Sequence, residues 1–179
     1  MNEKPGNRPE EIALEHARAG DLPGLLDILN HYVLHDHCTF DTEPWNCADK
    51  QPWFDGFDQS GRYQLLVARQ DQNILGYAHS GQWRGKRAYD VTVETTVYLA
   101  PDATGQGLGA RLLGELLESL RGTGALRAVA GIAQPNEASN RLHHRLGYRV
   151  VGTFHRVGRK FGRDWDVTWF ERDIEPAQA

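Results

Sequence analysis

The sequence predicts an α/β fold built as one domain. Three observations predict it. Strand-type alternation and helix-type apolar spacing succeed one another along the chain. A glycine-rich loop joins the clearest strand to the clearest helix. The 179 residues suffice for one sizeable core. A chain 40% hydrophobic and 25% charged has an ordinary globular composition. No repeat, linker or low-complexity tract interrupts residues 11–174, which read as a single domain, while the polar ends at 1–10 and 175–179 read as flexible tails.

The elements follow in order. Ile12, Leu14 and His16 alternate with polar residues as a first strand. Leu22, Leu25, Leu26 and Leu29 then recur at helical spacing in a helix running to Leu34, with Asp21 placed to cap it. Residues 38–51 carry turn formers without a period and read as a loop, with a short helix from about Ala48 to Phe57. Three strands come next, over 64–69, 74–83 and 91–99; in the last, Val91, Val93, Thr95, Val97 and Leu99 share one face. Leu108, Leu112, Leu113, Leu116, Leu117 and Leu120 form the apolar stripe of a second long helix. Residues 126–132 read as a buried strand. Pro135-Asn136 opens a helix that ends at Gly147, with Leu142 and Leu146 facing the core. A hairpin over 148–156 and 165–172 completes the chain.

Charge and cysteine usage exclude several classes. A net charge of −4 argues against nucleic acid as the main partner, because phosphate binding needs a basic face. The basic run Arg156, Arg159, Lys160 and Arg163 reads as a charged hairpin turn, interleaved by a single aromatic, Phe161. Cys38 and Cys47 match no zinc or redox spacing and no signal peptide precedes them, so free thiols in a reducing, cytoplasmic setting are expected. No apolar run is long enough for a membrane span, and no metal-ligand pattern is visible.

The segment Thr104-Gly105-Gln106-Gly107-Leu108-Gly109-Ala110 joins a strand to a helix. A helix start offers free N–H groups and the positive end of the dipole, which suit an anion. Each glycine in a first turn costs ~1 kcal/mol against alanine, a cost explained if a ligand touches the backbone. A flexible turn without ligand is the plain alternative. The loop is no P-loop, because Gly109-Ala110-Arg111 replaces Gly-Lys-Ser/Thr. It formally meets the dinucleotide pattern, but residues 100–104 separate it from its strand, and the next strand ends in Ala133-Gln134 without an acid.

Residues 104–109 resemble the acetyl-CoA loop of the GNAT superfamily, Gln/Arg-x-x-Gly-x-Gly/Ala, with Thr104 standing where Gln or Arg is usual. Within that superfamily the chain resembles the phosphinothricin and methionine-sulfoximine N-acetyltransferases from about Ile12 to Ile174. The matching pieces are Asn30-His31-Tyr32, residues 40–44, Ala88-Tyr89-Asp90 and Glu94-Thr95-Thr96-Val97-Tyr98. Pro135-Asn136 with Ser139, Arg141-Leu142-His143, Leu146-Gly147-Tyr148, Gly158-x-Lys160-x-Gly162 and Asp166-Val167 follow. Trp165 lies directly before Asp166, where the family places a Trp two residues before. The resemblance implies the GNAT fold, a mixed, strongly twisted sheet with helices on both faces. It implies transfer of acetyl from acetyl-CoA to the α-amine of a small amino-acid-like substrate in a ternary complex, without a metal, by a homodimer.

Glu94 is a carboxylate in a strand otherwise rich in Val, Thr and Leu; it is either a solvated outward residue or a base. The resemblance makes it the general base. An unperturbed Glu, at about 4.3, is too acidic to strip an ammonium unaided, so burial or a water chain is required. Asn136, Ser139 and His143 form one polar helical stripe, which by itself reads as solvated; the resemblance makes His143 an aid to proton transfer and sets Asn136 at the junction of CoA and substrate. By the same resemblance the cofactor lies along Val97, Tyr98 and Leu99 and against Gly105, Gln106, Gly107, Leu108, Gly109, Ala110, Asn136 and Ser139, with the Leu99 N–H polarising the thioester carbonyl. The acceptor is expected at Phe40, Thr42, Glu43, Lys86, Arg87, Tyr89, Glu94, Thr96 and Asn136; the cluster Arg84, Lys86, Arg87 and Tyr89 reads equally as a site for an anionic substrate group or as a solvated turn. A different amine, such as a polyamine or a peptide N-terminus, and a non-catalytic acyl-CoA sensor are the rival functions, with a dinucleotide module third.

Overall fold

The computed structural model describes residues 11–174; the tails expected at 1–10 and 175–179 lie outside the described residues. One seven-stranded sheet runs through the molecule in the order β1-β2-β3-β4-β5-β7-β6. Its strands are β1 (Ala13–His16), β2 (Leu65–Gln70), β3 (Asn73–Gln82), β4 (Thr92–Leu99), β5 (Arg127–Gln134), β6 (Arg149–Lys160) and β7 (Arg163–Asp173). Neighbours are antiparallel except β4 and β5, which run parallel, so the sheet is mixed.

Four α-helices among the described residues cover it: α1 (Leu22–His35), α2 (Cys47–Phe54), α3 (Leu108–Ser119) and α4 (Glu137–Arg145). Strand alternation divides the apolar residues between two faces. Leu66, Ala68, Ala78, Val93 and Ala128 face α3, whose Leu112, Leu113 and Leu116 are wholly buried. Leu65, Val67 and Tyr77 face the other way, against Leu25 and Ile28 of α1. Helices therefore lie on both faces, as expected.

Most boundaries fall within a few residues of the sequence reading, and the departures have physical causes. Asp21 precedes α1 but does not cap it, because its carboxylate is taken by the Arg18 N–H at 2.7 Å and by the Arg69 guanidinium at 2.7 and 2.8 Å. The end of the expected loop is helical, since the Asn46 side chain accepts the Asp49 N–H at 3.0 Å and starts α2 at Cys47. Val91 precedes β4 and is largely exposed. The final hairpin extends further than expected, with its turn at Phe161-Gly162.

Gly76 shows how closely β3 and β4 approach. A Cβ there would meet the Tyr98 carbonyl oxygen at 2.8 Å and Leu99 Cα at 3.2 Å. The Ala100 N–H donates to the Leu75 carbonyl at 2.8 Å, so Gly76–Leu99 is a non-hydrogen-bonded pair, the closer kind. That register turns the N–H and C=O of Leu99, and by alternation of Val97, away from β3.

Candidate active site

β4 and β5 pair over three positions, Thr92 with Arg127, Val93 with Ala128 and Glu94 with Val129, and then diverge. The divergence begins where the Thr95 hydroxyl donates to the Val129 carbonyl at 3.2 Å and sits 2.7 Å from the Tyr148 hydroxyl. A side chain replaces a backbone partner there. Beyond it, β4 has an edge inside the sheet, and Val97 and Leu99 aim their backbone polar groups into the gap. The Leu99 carbonyl accepts the Tyr32 hydroxyl at 2.8 Å, while its N–H remains on the gap side.

The gap widens into a cleft of about 680 Å³. Its walls are Thr95–Leu99 of β4, Ala130–Ala133 of β5, the start of α3 and one side of α4, with Tyr32, Asp36 and Cys38 above. At the start of α3, Gly105 (φ +77°) and Gly107 (φ +78°) are left-handed. A Cβ at either would meet nothing within 4 Å, so backbone conformation selects glycine there. Gly107 stands at the N-cap and no side chain caps α3. The N–H groups of Leu108, Gly109 and Ala110 thus have no intrahelical partner. Thr104 donates its hydroxyl to the Pro101 carbonyl at 2.9 Å, which closes the preceding turn.

Of the residues singled out in the sequence, Thr96, Val97, Tyr98, Leu99, Gly105, Gly107, Gly109, Ala110, Asn136, Ser139 and His143 line this cleft. Leu108 does not, because its side chain is in the core beneath the loop, so only its backbone can serve a ligand. Gln106 is exposed on the loop. Phe40, Thr42 and Glu43 are exposed, and Lys86, Arg87 and Tyr89 sit on the exposed 3-10 turn Arg87–Tyr89 and its lead-in, away from the cleft walls. Glu94 lies one strand position below Thr95. Burial raises its pKa above the ordinary carboxylate value, opposed by the positive charge of Arg84.

His143 corrects the picture of a solvated stripe: it is 3% exposed, packed edge-on to Tyr148 at 5.0 Å and beside Phe170 at 5.8 Å. Its Nδ1 is 2.8 Å from the Ser139 carbonyl, which can only accept, so the ring proton sits on Nδ1. Nε2 is buried without a hydrogen-bond partner among the described residues. Burial lowers the imidazole pKa, so the ring presents a neutral nitrogen. Asn136 caps α4 by accepting the Ser139 N–H at 3.0 Å.

Two residues escaped sequence reasoning. Lys160, expected in a solvated turn, is 4% exposed, and its ammonium donates to the carbonyls of Tyr32 (3.2 Å), Asp36 (2.7 Å) and Thr39 (2.8 Å). It ties the hairpin tip to the end of α1. Phe40 continues that contact, lying where a Cβ on Gly158 would stand. Cys38, read from the sequence only as a free thiol, lines the cleft; burial and Asp36 push its thiol up to about 12, so it is no thiolate at neutral pH. A second hollow of about 470 Å³ beside Asp21 and Arg69 has its charges already engaged with one another.

An edge strand that accepts a chain-like ligand, ending at an uncapped helix start, fits an extended molecule with phosphates at one end. The sequence matches the Acetyltransferase (GNAT) family over residues 30–148. It is 52% identical over 166 residues to the phosphinothricin N-acetyltransferase of Streptomyces coelicolor, covering 92% of this chain and 97% of that one. It is 38% identical over 168 residues to the L-methionine sulfoximine/L-methionine sulfone acetyltransferase of Pseudomonas paraeruginosa, covering 93% and 97%. The fold superposes on yncA of Salmonella typhimurium, solved with its cofactor acetyl-CoA, with a TM-score of 0.89, 34% identity and coverage of 94% and 97%. The chain belongs to the acetyltransferase (GNAT) family.

Proposed function

We propose that residues 11–174 form one N-acetyltransferase domain that passes the acetyl group of acetyl-CoA to the α-amine of a small amino acid of the phosphinothricin or methionine sulfoximine/sulfone type. The observation that carries the reading is the interior edge of β4 meeting the uncapped start of α3. The names of the relatives support the substrate class.

Acetyl-CoA supplies an activated acetyl thioester. The chain's part is to hold and polarise it and to move protons. The N–H groups at residues 108–110 receive the phosphates, and the free edge of Val97 and Leu99 pairs with the pantetheine arm. The Leu99 N–H faces the thioester carbonyl, and Asn136 and Ser139 sit at the junction with the acceptor. Glu94, raised by burial, takes the ammonium proton directly or through water. His143, neutral with a bare Nε2, assists the proton's exit. Phe40, Thr42, Glu43, Lys86, Arg87 and Tyr89 form the acceptor's rim, with Arg84 the cation whose charge acts on Glu94. Transfer is direct in a ternary complex, and the high pKa of Cys38 disfavours an acetyl-cysteine.

The test is free-thiol release from acetyl-CoA against a panel of amines. Release driven by phosphinothricin, methionine sulfoximine or methionine sulfone is expected. A preference for spermidine or a peptide would replace the substrate class, and CoA binding without turnover of any amine would make the protein an acyl-CoA sensor.

We further place the protein in the cytoplasm, where Cys38 and Cys47 remain thiols. No helix among the described residues is long and apolar enough to cross a membrane. A homodimer is supported by β6, which ends the sheet and leaves Val150, Val151, Phe154 and Val157 each more than half exposed. Phe154→Asp with Val157→Asp is expected to convert a dimer to a monomer in light scattering; an unchanged mass would move the interface elsewhere.

A further inference from the structure

Cleavage of a thioester needs a proton at its end. The departing sulfur carries the electron pair of the C–S bond, and a donor beside it eases its departure. Glu94 accepts a proton and supplies none. His143 has one ring proton, which the Ser139 carbonyl holds at 2.8 Å from Nδ1, and its buried Nε2 has none to give. Tyr32 of α1 also lines the cleft, and its hydroxyl donates to the Leu99 carbonyl at 2.8 Å. The ring is fixed edge-on to His31 at 5.3 Å and against Tyr98 at 5.5 Å, and the Tyr32 backbone carbonyl accepts the Lys160 ammonium at 3.2 Å. A packed helix, not a loop, therefore carries this hydroxyl to the gap. Leu99 lies beyond Glu94, where the pairing of β4 with β5 ends, so no strand competes for its carbonyl.

Backbone geometry sets the hydroxyl beside the reacting group. In an extended residue the N–H and the C=O point to the same side. A thioester carbonyl on the Leu99 N–H is thus next to the Leu99 carbonyl, where the Tyr32 hydroxyl stands. The start of α3 follows Leu99 along the chain, and the Leu99 carbonyl lies on that side of its N–H. The pantetheine arm leaves the sulfur in the same direction, past the Tyr32 hydroxyl. An amide N–H of the arm on the Leu99 carbonyl frees the tyrosine proton for the sulfur.

From this geometry we infer that Tyr32 supplies the proton taken by the departing CoA sulfur. The inference rests on the proposed acetyltransferase reading and gives its last step a named donor. Glu94 first removes one proton from the ammonium. The amine nitrogen then forms the N–C bond as the C–S bond breaks, and the sulfur keeps that bond's electron pair and takes the Tyr32 proton. The nitrogen sheds its surplus proton, which returns through water to the phenolate, so tyrosine ends neutral. Burial, with Cys38 and Asp36 close by, holds the Tyr32 pKa above its ordinary value, so the hydroxyl carries its proton at neutral pH.

The experiment compares Tyr32→Phe and Cys38→Ala with the wild type. Tyr32→Phe keeps the ring against His31 and Tyr98 and removes only the hydroxyl. With the best amine of the panel, it is expected to slow single-turnover acetyl transfer by about 10²-fold, the low end for a lost general acid, with the amine KM within about twofold. Calorimetry with CoA and with desulfo-CoA, which lacks the sulfur, reads the contact without turnover. At pH 9 much of a thiol of pKa ~8.5 is ionised, and a hydrogen bond to a charged group is lost. Tyr32→Phe should therefore weaken CoA about tenfold and leave desulfo-CoA within about twofold. Cys38→Ala should keep the wild-type ratio of the two constants. Equal weakening of both ligands by Tyr32→Phe would overturn the inference, by making the hydroxyl a support for the Leu99 backbone. A wild-type transfer rate in Tyr32→Phe would overturn it too, as would a sulfur-dependent loss in Cys38→Ala instead. Absence of turnover by the wild type with every amine would remove the acetyltransferase reading itself, an outcome separate from all of these.

Discussion

Glu94→Gln is expected to lower kcat/KM for the amine by about 10²–10⁴-fold, the range for loss of a general base. The substitution keeps the size and a hydrogen-bonding head but removes the proton acceptor. Burial raises the Glu94 pKa, so the wild-type rate should climb as pH rises through a value above the ordinary carboxylate range, and that acid limb should vanish in the variant. The stability consequence has the opposite sign. A carboxyl whose folded pKa is raised favours the folded state when protonated; that contribution is present below the unfolded value and lost as pH rises through the folded one. Above its folded pKa the ionised Glu94 adds no stability, and there the Gln variant should melt no lower than the wild type. Measured pH profiles and melts decide the matter: full activity in the variant would remove Glu94 from the mechanism.

Lys160→Met is expected to cost about 3 kcal/mol of folding stability, read by urea denaturation. Three carbonyls accept from one ammonium, and only a protonated amine carries three donors. Burial lowers its pKa, while the carboxylates of Asp36 and Asp41 oppose that shift. Methionine fills the channel but leaves those carbonyls without their donor. The damage should spread to activity, because Asp36 and Cys38 line the cleft from the segment that Lys160 fixes. His37 couples the same segment to the rest of the site, stacking on Trp165 at 4.0 Å with Nε2 3.1 Å from the Pro135 carbonyl. Stability within about 0.5 kcal/mol of the wild type would show that water replaces the ammonium at those carbonyls.

Lys160 also marks where sequence reasoning stops. The glycine loop, the leucine stripe of α3 and the alternation of β4 are local patterns, and each led to the right element and one wall of the cleft. Lys160 bonds to carbonyls 121 to 128 positions away, and no local period records that. His143 failed for a related reason. The helical repeat groups it with Asn136 and Ser139, but the strands after α4 bring Tyr148 and Phe170 against it. Asp21 looked like a cap because it precedes a helix, and the distant Arg69 claims its carboxylate.

The early parting of β4 and β5 has a consequence beyond chemistry. The sheet's two halves, β1–β4 and β5–β7–β6, share a backbone seam three residue pairs long. A compound lying in the gap acts as an eighth strand and lengthens that seam. At a hundred times its Kd, a ligand bound only by the folded chain adds about 2.7 kcal/mol. The resistance of this protein to unfolding and proteolysis would then follow the supply of that compound, and the enzyme would persist longest when its acyl donor is plentiful.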